Sequence, residues 1–348
     1  MPNRVTLPAE WAPQDGVLLA WPHTQSDWLP FLARIEQVYY ALIFQITRFE
    51  DVVLLCNTNE LANSVREKLS AHGVNLQRVH LLVVEYNDTW LRDSGPITVT
   101  KGVKPVNCDF RFNGWGGKFD ARLDDRICYT LSQQNLFKAH YKPYDLILEG
   151  GSIDSDGEGT LLTTRQCLLT ETRNPGMQTT DYEIFFAEEF GSQRVIWLQH
   201  GELQGDDTDG HVDMLARFCT PDTIAYTSCD RPDDEHYASL RALETELKAL
   251  RTASGQPYTL VPLPIPQAIH NQTGQRLPAS YANFLIINDA VLVPLYDDAN
   301  DEVVLKCLQA CFPDREVIGI MARAIIEQFG SLHCLSMQLP RGVLELVA

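Results

Sequence analysis

The residues that could do chemistry fall in a few polar clusters, and each also has a bland explanation. In GSLHCLSMQ (330–338), His333 and Cys334 are adjacent. If Leu332, Leu335 and Met337 mark a strand, neighbours point to opposite faces, and His333 is not the base that activates Cys334. By base rate a buried thiol is inert packing; against that, Gly330 and a short turn near the end of the last strand could expose the sulfur.

In GDDTDGHVD (205–213), His211 and Asp213 are two apart and share one face of a predicted strand. An imidazole beside a carboxylate can act as general base and then general acid; a solvated acidic loop leading into a core strand explains the same residues. Asp209, His211 and Asp213 also form D-x-H-x-D, a spacing used by binuclear metal hydrolases. The nearest second cluster, Asp297, Asp298 and Asp301, has no histidine, so a metal centre is disfavoured.

Three further segments carry weaker signals. Asp154, Asp156 and Gly157 begin like a calcium loop, but position 165 is arginine where a ligating glutamate is needed, and a hairpin between 146–149 and 159–164 accounts for them better. The glycines after Glu149 permit close backbone approach, yet no helix follows to seat a phosphate. In WLRDSGP, Trp90 and Asp93 stand three apart in a loop leading to strand 97–100, and Arg92 could form a surface ion pair worth under about 1 kcal/mol. Trp115, flanked by glycines in NGWGGK, suits a flat wall for a ligand.

These clusters all adjoin predicted strands. Short runs of Val, Ile and Leu predict strands at 16–22, 51–56, 78–84, 145–151, 194–199, 283–288, 291–296 and 316–320. Amphipathic spacing predicts helices over 27–49, 60–71, 181–190, 232–251 and 301–311. The proline-rich stretch 257–267 reads as an ordered loop, and no linker divides the chain. The class is α/β, with residues 1–348 forming one catalytic domain and no repeat visible in the sequence.

Composition narrows the partners. The 348 residues are 45% hydrophobic and 21% charged, which excludes disordered and collagen-like classes. With 28 Lys+Arg against 46 Asp+Glu the net charge is −18, so nucleic acid and anionic membranes are poor partners and a small cation is a good one. Nine scattered cysteines without C-x-x-C, and no apolar leader or spanning run, predict a cytoplasmic chain with free thiols. Oligomeric state is open: a homo-oligomer is compatible with the sequence and not required by it.

Taken in order, LPAEWAPQDGVLLAWP, WLRDSGP, FNGWGGK, EGGSI, DDTDGHVD, LPASYANFLI and GSLHCLSMQLP resemble the agmatine deiminases and their bacterial peptidylarginine-deiminase-type relatives, of the guanidino-group-modifying superfamily. The resemblance implies a five-bladed α/β propeller (a pentein) of pseudo-repeated ββαβ units around a central active site. It implies Cys334 as nucleophile, His211 as acid/base, and Glu149 as the carboxylate flanking the histidine and the guanidinium. Asp93 and Asp213 match the carboxylates that grip the guanidinium, and Trp90 and Trp115 resemble the lining of the substrate channel. No cofactor or metal is implied.

The chemistry is coherent on physical grounds. A guanidinium is charged and delocalised, so burying it calls for carboxylates with fork-like geometry. A thiolate is strongly nucleophilic at modest pKa and can attack the carbon. Carboxylates near Cys334 are expected to raise its pKa above the roughly 8.5 of a free thiol until a cationic substrate offsets them. Asp206 and Asp207 near the channel favour agmatine, a dication, over zwitterionic arginine. The alternatives are a peptidylarginine deiminase, a binuclear metal ureohydrolase that would release urea, and a non-catalytic polyamine-binding protein.

Overall fold

The computed structural model describes residues 4–346, and they form five small sheets arranged as the blades of an α/β propeller. Each blade is built the same way: an antiparallel pair, a helical crossover, then a strand parallel to the second of the pair. In one blade Ile97–Lys101 pairs antiparallel with Lys104–Arg111, which pairs parallel with His140–Ile147. The next has Ile153–Ser155 against Thr160–Thr164, with Arg194–Leu198 returning parallel after helix Thr179–Phe190. Ala216–Thr220, Thr223–Ser228 and Thr259–Pro264 repeat the pattern around helix Tyr237–Ala249. Leu285–Ile287, Ala290–Leu295 and Glu316–Met321 repeat it around helix Asp301–Cys311.

The fifth blade joins the two ends of the chain. Met337–Pro340 lies antiparallel to Gln14–Ala20, which runs parallel to Asp51–Cys56 and onward to Val79–Val83. Val52 to Cys56 are all buried because this strand is covered on both faces, which explains a continuous apolar run rather than an alternating one. Helix Leu32–Ile46 buries Ile35, Val38, Tyr39, Leu42, Ile43 and Ile46, the three-and-four spacing visible in the sequence. Pro30 sits in a preceding single turn, Leu29–Phe31, so the helix starts five residues later than its amphipathic pattern suggested.

Several local expectations need correction. The fivefold ββαβ repeat is present although the sequence showed none to the eye. Residues 259–264, within the segment expected as a loop, form a strand whose prolines sit in a parallel edge. The hairpin partner of Thr160–Thr164 is Ile153–Ser155, while 146–147 end a strand of the neighbouring blade. Asp156 Oδ1 accepts from the N–H groups of Glu158 and Thr160 at 2.7 and 2.8 Å, the work of a turn residue rather than a calcium ligand. Residues 332–335 are a turn, and His211 precedes a single helical turn, Val212–Met214, so neither lies in a strand. Among the described residues no helix is long and apolar enough to cross a membrane.

Candidate active site

The blade architecture explains how residues so far apart in sequence meet. Just before the first strand of each blade the chain makes a tight, buried turn toward the centre. These turns carry Asp93, Glu149, His211 with Asp213, Asn283, and Cys334. Asn283 went unremarked in the sequence, yet its Oδ1 accepts from the backbone N–H of His333 at 2.9 Å and of Cys334 at 3.2 Å. It fixes the turn that presents the sulfur.

Glu149, His211 and Asp213 are completely enclosed, and Asp93 and Cys334 nearly so. His211 Nδ1 stands 3.6 Å from Asp93 Oδ1, and Nε2 stands 3.9 Å from Glu149 Oε2. Burial opposes a charge on this ring, but Asp93, Cys167 and Glu149 together outweigh it and hold its pKa well above the usual imidazole value. Cys334 Sγ lies 3.8 Å from Asp213 Oδ2. Burial first, then the charges of Asp213 and Asp93, push this thiol well above its ordinary pKa. The direction matches the sequence expectation; its largest cause, desolvation, does not.

The carboxylates are held by different means. Asp93 Oδ1 accepts from Gly151 N at 2.9 Å and Oδ2 from Trp115 Nε1 at 2.9 Å. Burial raises the Asp93 pKa, and the neighbouring Asp213 and Glu149 add to it, so His211 alone does not offset the crowding of negative charge. Glu149 is clamped by Arg173, whose Nε donates to both carboxylate oxygens at 2.8 and 2.9 Å. Burial works against its charge, but His211 and Arg173 keep its pKa below the usual carboxylate range. Arg173 also donates to Asp209 Oδ2 at 2.7 Å and to the Thr208 carbonyl at 2.8 Å. Sequence reasoning missed Arg173 because an arginine in a TRNPG turn looks like surface.

Asp213 is ordered from behind. Its Oδ2 lies 2.7 Å from His333 Nδ1, and His333 Nε2 lies 2.7 Å from Glu10 Oε2. Both ring nitrogens thus face carboxylate oxygens. Glu10 also accepts from Arg217 and, at 2.6 Å, from Ile286 N. Burial opposes ionised Asp213, but His333 prevails and holds its pKa low, leaving Oδ1 buried without a partner. His333 is thus engaged on both sides by Asp213 and Glu10, and it and Cys334 lie on a turn rather than on opposite faces of a strand.

The site opens into a cavity of about 610 Å³ lined by Cys334, Asp93, Trp90, Trp115 and Asp207 among others. Gly330 packs face-on against Trp90; a Cβ there would lie 2.2 Å from the ring. Trp115 adopts a left-handed backbone (φ 55°), which aims its indole N–H at Asp93. Arg92 is not a surface ion pair: it is buried, and its Nε donates to the His333 carbonyl at 3.3 Å while its backbone N–H reaches the Cys334 carbonyl at 3.2 Å. The D-x-H-x-D pattern does not converge on a binuclear centre, because Asp209 is taken by Lys118 (2.7 Å) and Arg173 and Asp213 by His333.

Gly151 marks where these groups meet. A Cβ built on it would fall 2.6 Å from His211 Nδ1, 2.9 Å from Asp93 Oδ1 and 3.1 Å from Asp213 Oδ2. Alanine there must push all three outward, and displacements of about 1 Å at reacting groups cost about 10²-fold. Gly151→Ala is thus expected to cut kcat by at least that factor with the melting temperature little changed; unaltered steady-state kinetics would contradict the geometry.

Residues 6–340 match the family model of the Porphyromonas-type peptidyl-arginine deiminases. The chain belongs to that family. Members of solved structure include a C. jejuni agmatine deiminase with one cysteine replaced by serine and substrate bound, which is 37% identical, covers 97% of each chain and has a TM-score of 0.90. A Porphyromonas gingivalis protein provisionally named an arginine deiminase is 44% identical over 98% of this chain and 100% of its own, with a TM-score of 0.90. A Pectobacterium atrosepticum protein, provisionally named an agmatine deiminase, is 33% identical over 96% of this chain and 94% of its own length. The five blades of this peptidyl-arginine deiminase family member are the pentein propeller.

Proposed function

We propose that this chain is an agmatine deiminase, converting agmatine and water to N-carbamoylputrescine and ammonia in a single catalytic domain made of all five blades. The observation that carries the substrate assignment is the charge of the cavity. Of the described residues lining it, Asp27, Asp88, Asp93, Asp120, Asp124 and Asp207 are acidic and none is basic. A guanidinium can pair with Asp93 and Asp213 at the deep end, and a second cation is favoured toward the mouth. The α-carboxylate of free arginine would meet only like charge. The 37% identical C. jejuni protein, an agmatine deiminase with substrate bound, supports the same choice. The nine unpaired cysteines fit a reducing, cytoplasmic compartment.

The mechanism follows from the charges. The incoming guanidinium offsets Asp93 and Asp213, which lowers the barrier to ionising Cys334. Hydrogen bonds to both carboxylates localise positive charge on the nitrogens and leave the carbon open to attack. Cys334 forms the C–S bond, His211 protonates the departing amino group, and ammonia leaves behind an S-alkylthiouronium. His211 then takes a proton from water, the hydroxide adds to the same carbon, and the C–S bond breaks to give the ureido product. Glu149, clamped by Arg173, steadies the imidazolium before the first of these proton transfers and after the second. Trp90 and Trp115 wall the apolar part of the substrate.

Burial raises Asp88 and Asp124 to about 7 and Asp207 to about 6. These carboxyls must be ionised to attract the distal ammonium, so the KM for agmatine is expected to fall as pH rises from 5 to 8. Butylguanidine, which lacks the amine, should have a flat KM over that range. Ammonia and carbamoylputrescine without urea, unaffected by chelator, are the expected products. Faster turnover of free arginine or of peptidyl-arginine than of agmatine would reject the assignment.

A further inference from the structure

One buried nucleophile has no part in this chemistry. Cys167 lies in the short helix Arg165–Leu168, where its backbone N–H caps onto Thr164 Oγ1 at 3.2 Å, and its side chain is fully enclosed. Its sulfur, a ring nitrogen of His211 and a carboxylate oxygen of Glu149 all lie within 4.8 Å of one another. Both ring nitrogens of His211 lack a hydrogen-bond partner although the residue is wholly buried. A buried imidazole nitrogen left open between a thiol and a carboxylate supplies the N, S and O donors that a borderline-soft divalent cation takes.

We propose that Glu149, Cys167 and His211 form a site for a zinc-like divalent cation that inhibits the enzyme reversibly. Tetrahedral zinc with bonds of about 2.0–2.3 Å needs its donors roughly 3.3–3.8 Å apart, a small contraction of the observed cluster. Arg173 engages Glu149 through one edge and leaves its oxygens further lone pairs. The adjacent Asp93, Asp213 and Asp209 offset the arginine charge, so the field at this point favours a cation. On binding, the Cys167 S–H bond and the His211 N–H bond at the ligating nitrogen break, both protons go to solvent, and metal–sulfur and metal–nitrogen bonds form with no change of oxidation state. The His211 lone pair is then occupied and cannot carry protons between ammonia and water.

The test uses Zn²⁺ on activity and Co²⁺ as an optical probe. Wild-type turnover should be lost with added Zn²⁺ and restored by chelator. Cys167→Ser should keep its activity without metal but need at least about tenfold more Zn²⁺ for the same inhibition, a scale on which even outer contacts alter metal affinity. In Cys334→Ala, Co²⁺ should give a thiolate charge-transfer band that disappears when Cys167→Ser is added. Cys167→Ala repeats both arms if serine disturbs the short helix. Equal Zn²⁺ sensitivity in wild type and Cys167→Ser, or a band that requires Cys334, would overturn the site. The inhibition arm rests on the deiminase assignment, whereas the cobalt arm needs no turnover, so the two can fail separately.

Discussion

Cys334→Ser is expected to lose at least about 10⁴-fold in kcat while still binding agmatine, because a nucleophile and the groups that serve it act as a unit. The hydroxyl is a far weaker acid than the thiol, and its oxygen would sit beside Asp213, whose carboxylate lies 3.8 Å from the sulfur. Neither the deep carboxylates nor the cavity walls depend on sulfur, so binding should survive. Calorimetry of the variant with agmatine, alongside an ammonia assay, checks both halves. Turnover near the wild-type rate would end the covalent mechanism.

Asp213→Asn should produce two effects of opposite sign. Its carboxylate is one of two poised for the guanidinium, and removing a charge that pairs with a buried cation costs about 2–5 kcal/mol, so kcat/KM should fall by about 30-fold to 5,000-fold. After burial itself, the same charge does most to raise the Cys334 thiol pKa in the free enzyme. Its removal should therefore lower the thiol pKa and speed alkylation by iodoacetamide, a neutral reagent, at pH 7–8. Wild-type protein should react slowly under those conditions and faster as pH rises. A variant that lost activity and also alkylated no faster would show that Asp213 does not govern the sulfur.

The sequence made the alternation of strands and helices legible because each buried strand is a continuous apolar run and each outer helix keeps a clean apolar face. It did not reveal the fivefold repeat, since the blades share a pattern of pairing rather than of residues. Cys334, His211, Glu149, Asp93 and Asp213 were singled out through their surrounding motifs, and the fold brings them close together. Their local settings were misread where strands were expected: 332–335 and 212–214 are turns, and only turns can aim these groups at the axis. Arg173, Glu10 and Asn283 escaped because their importance lies in partners distant along the chain. Glu10 meets His333 across 323 positions, and no local spacing announces such a contact.

The strand Met337–Pro340 closes the ring against Gln14–Ala20, and Cys334 sits on the turn just before it. Until that strand pairs, the turn before it is tethered to the rest of the ring through contacts such as that of Asn283, whose side chain accepts from the backbone of His333 and Cys334. Closing the propeller and completing the catalytic pocket are thus one event rather than two.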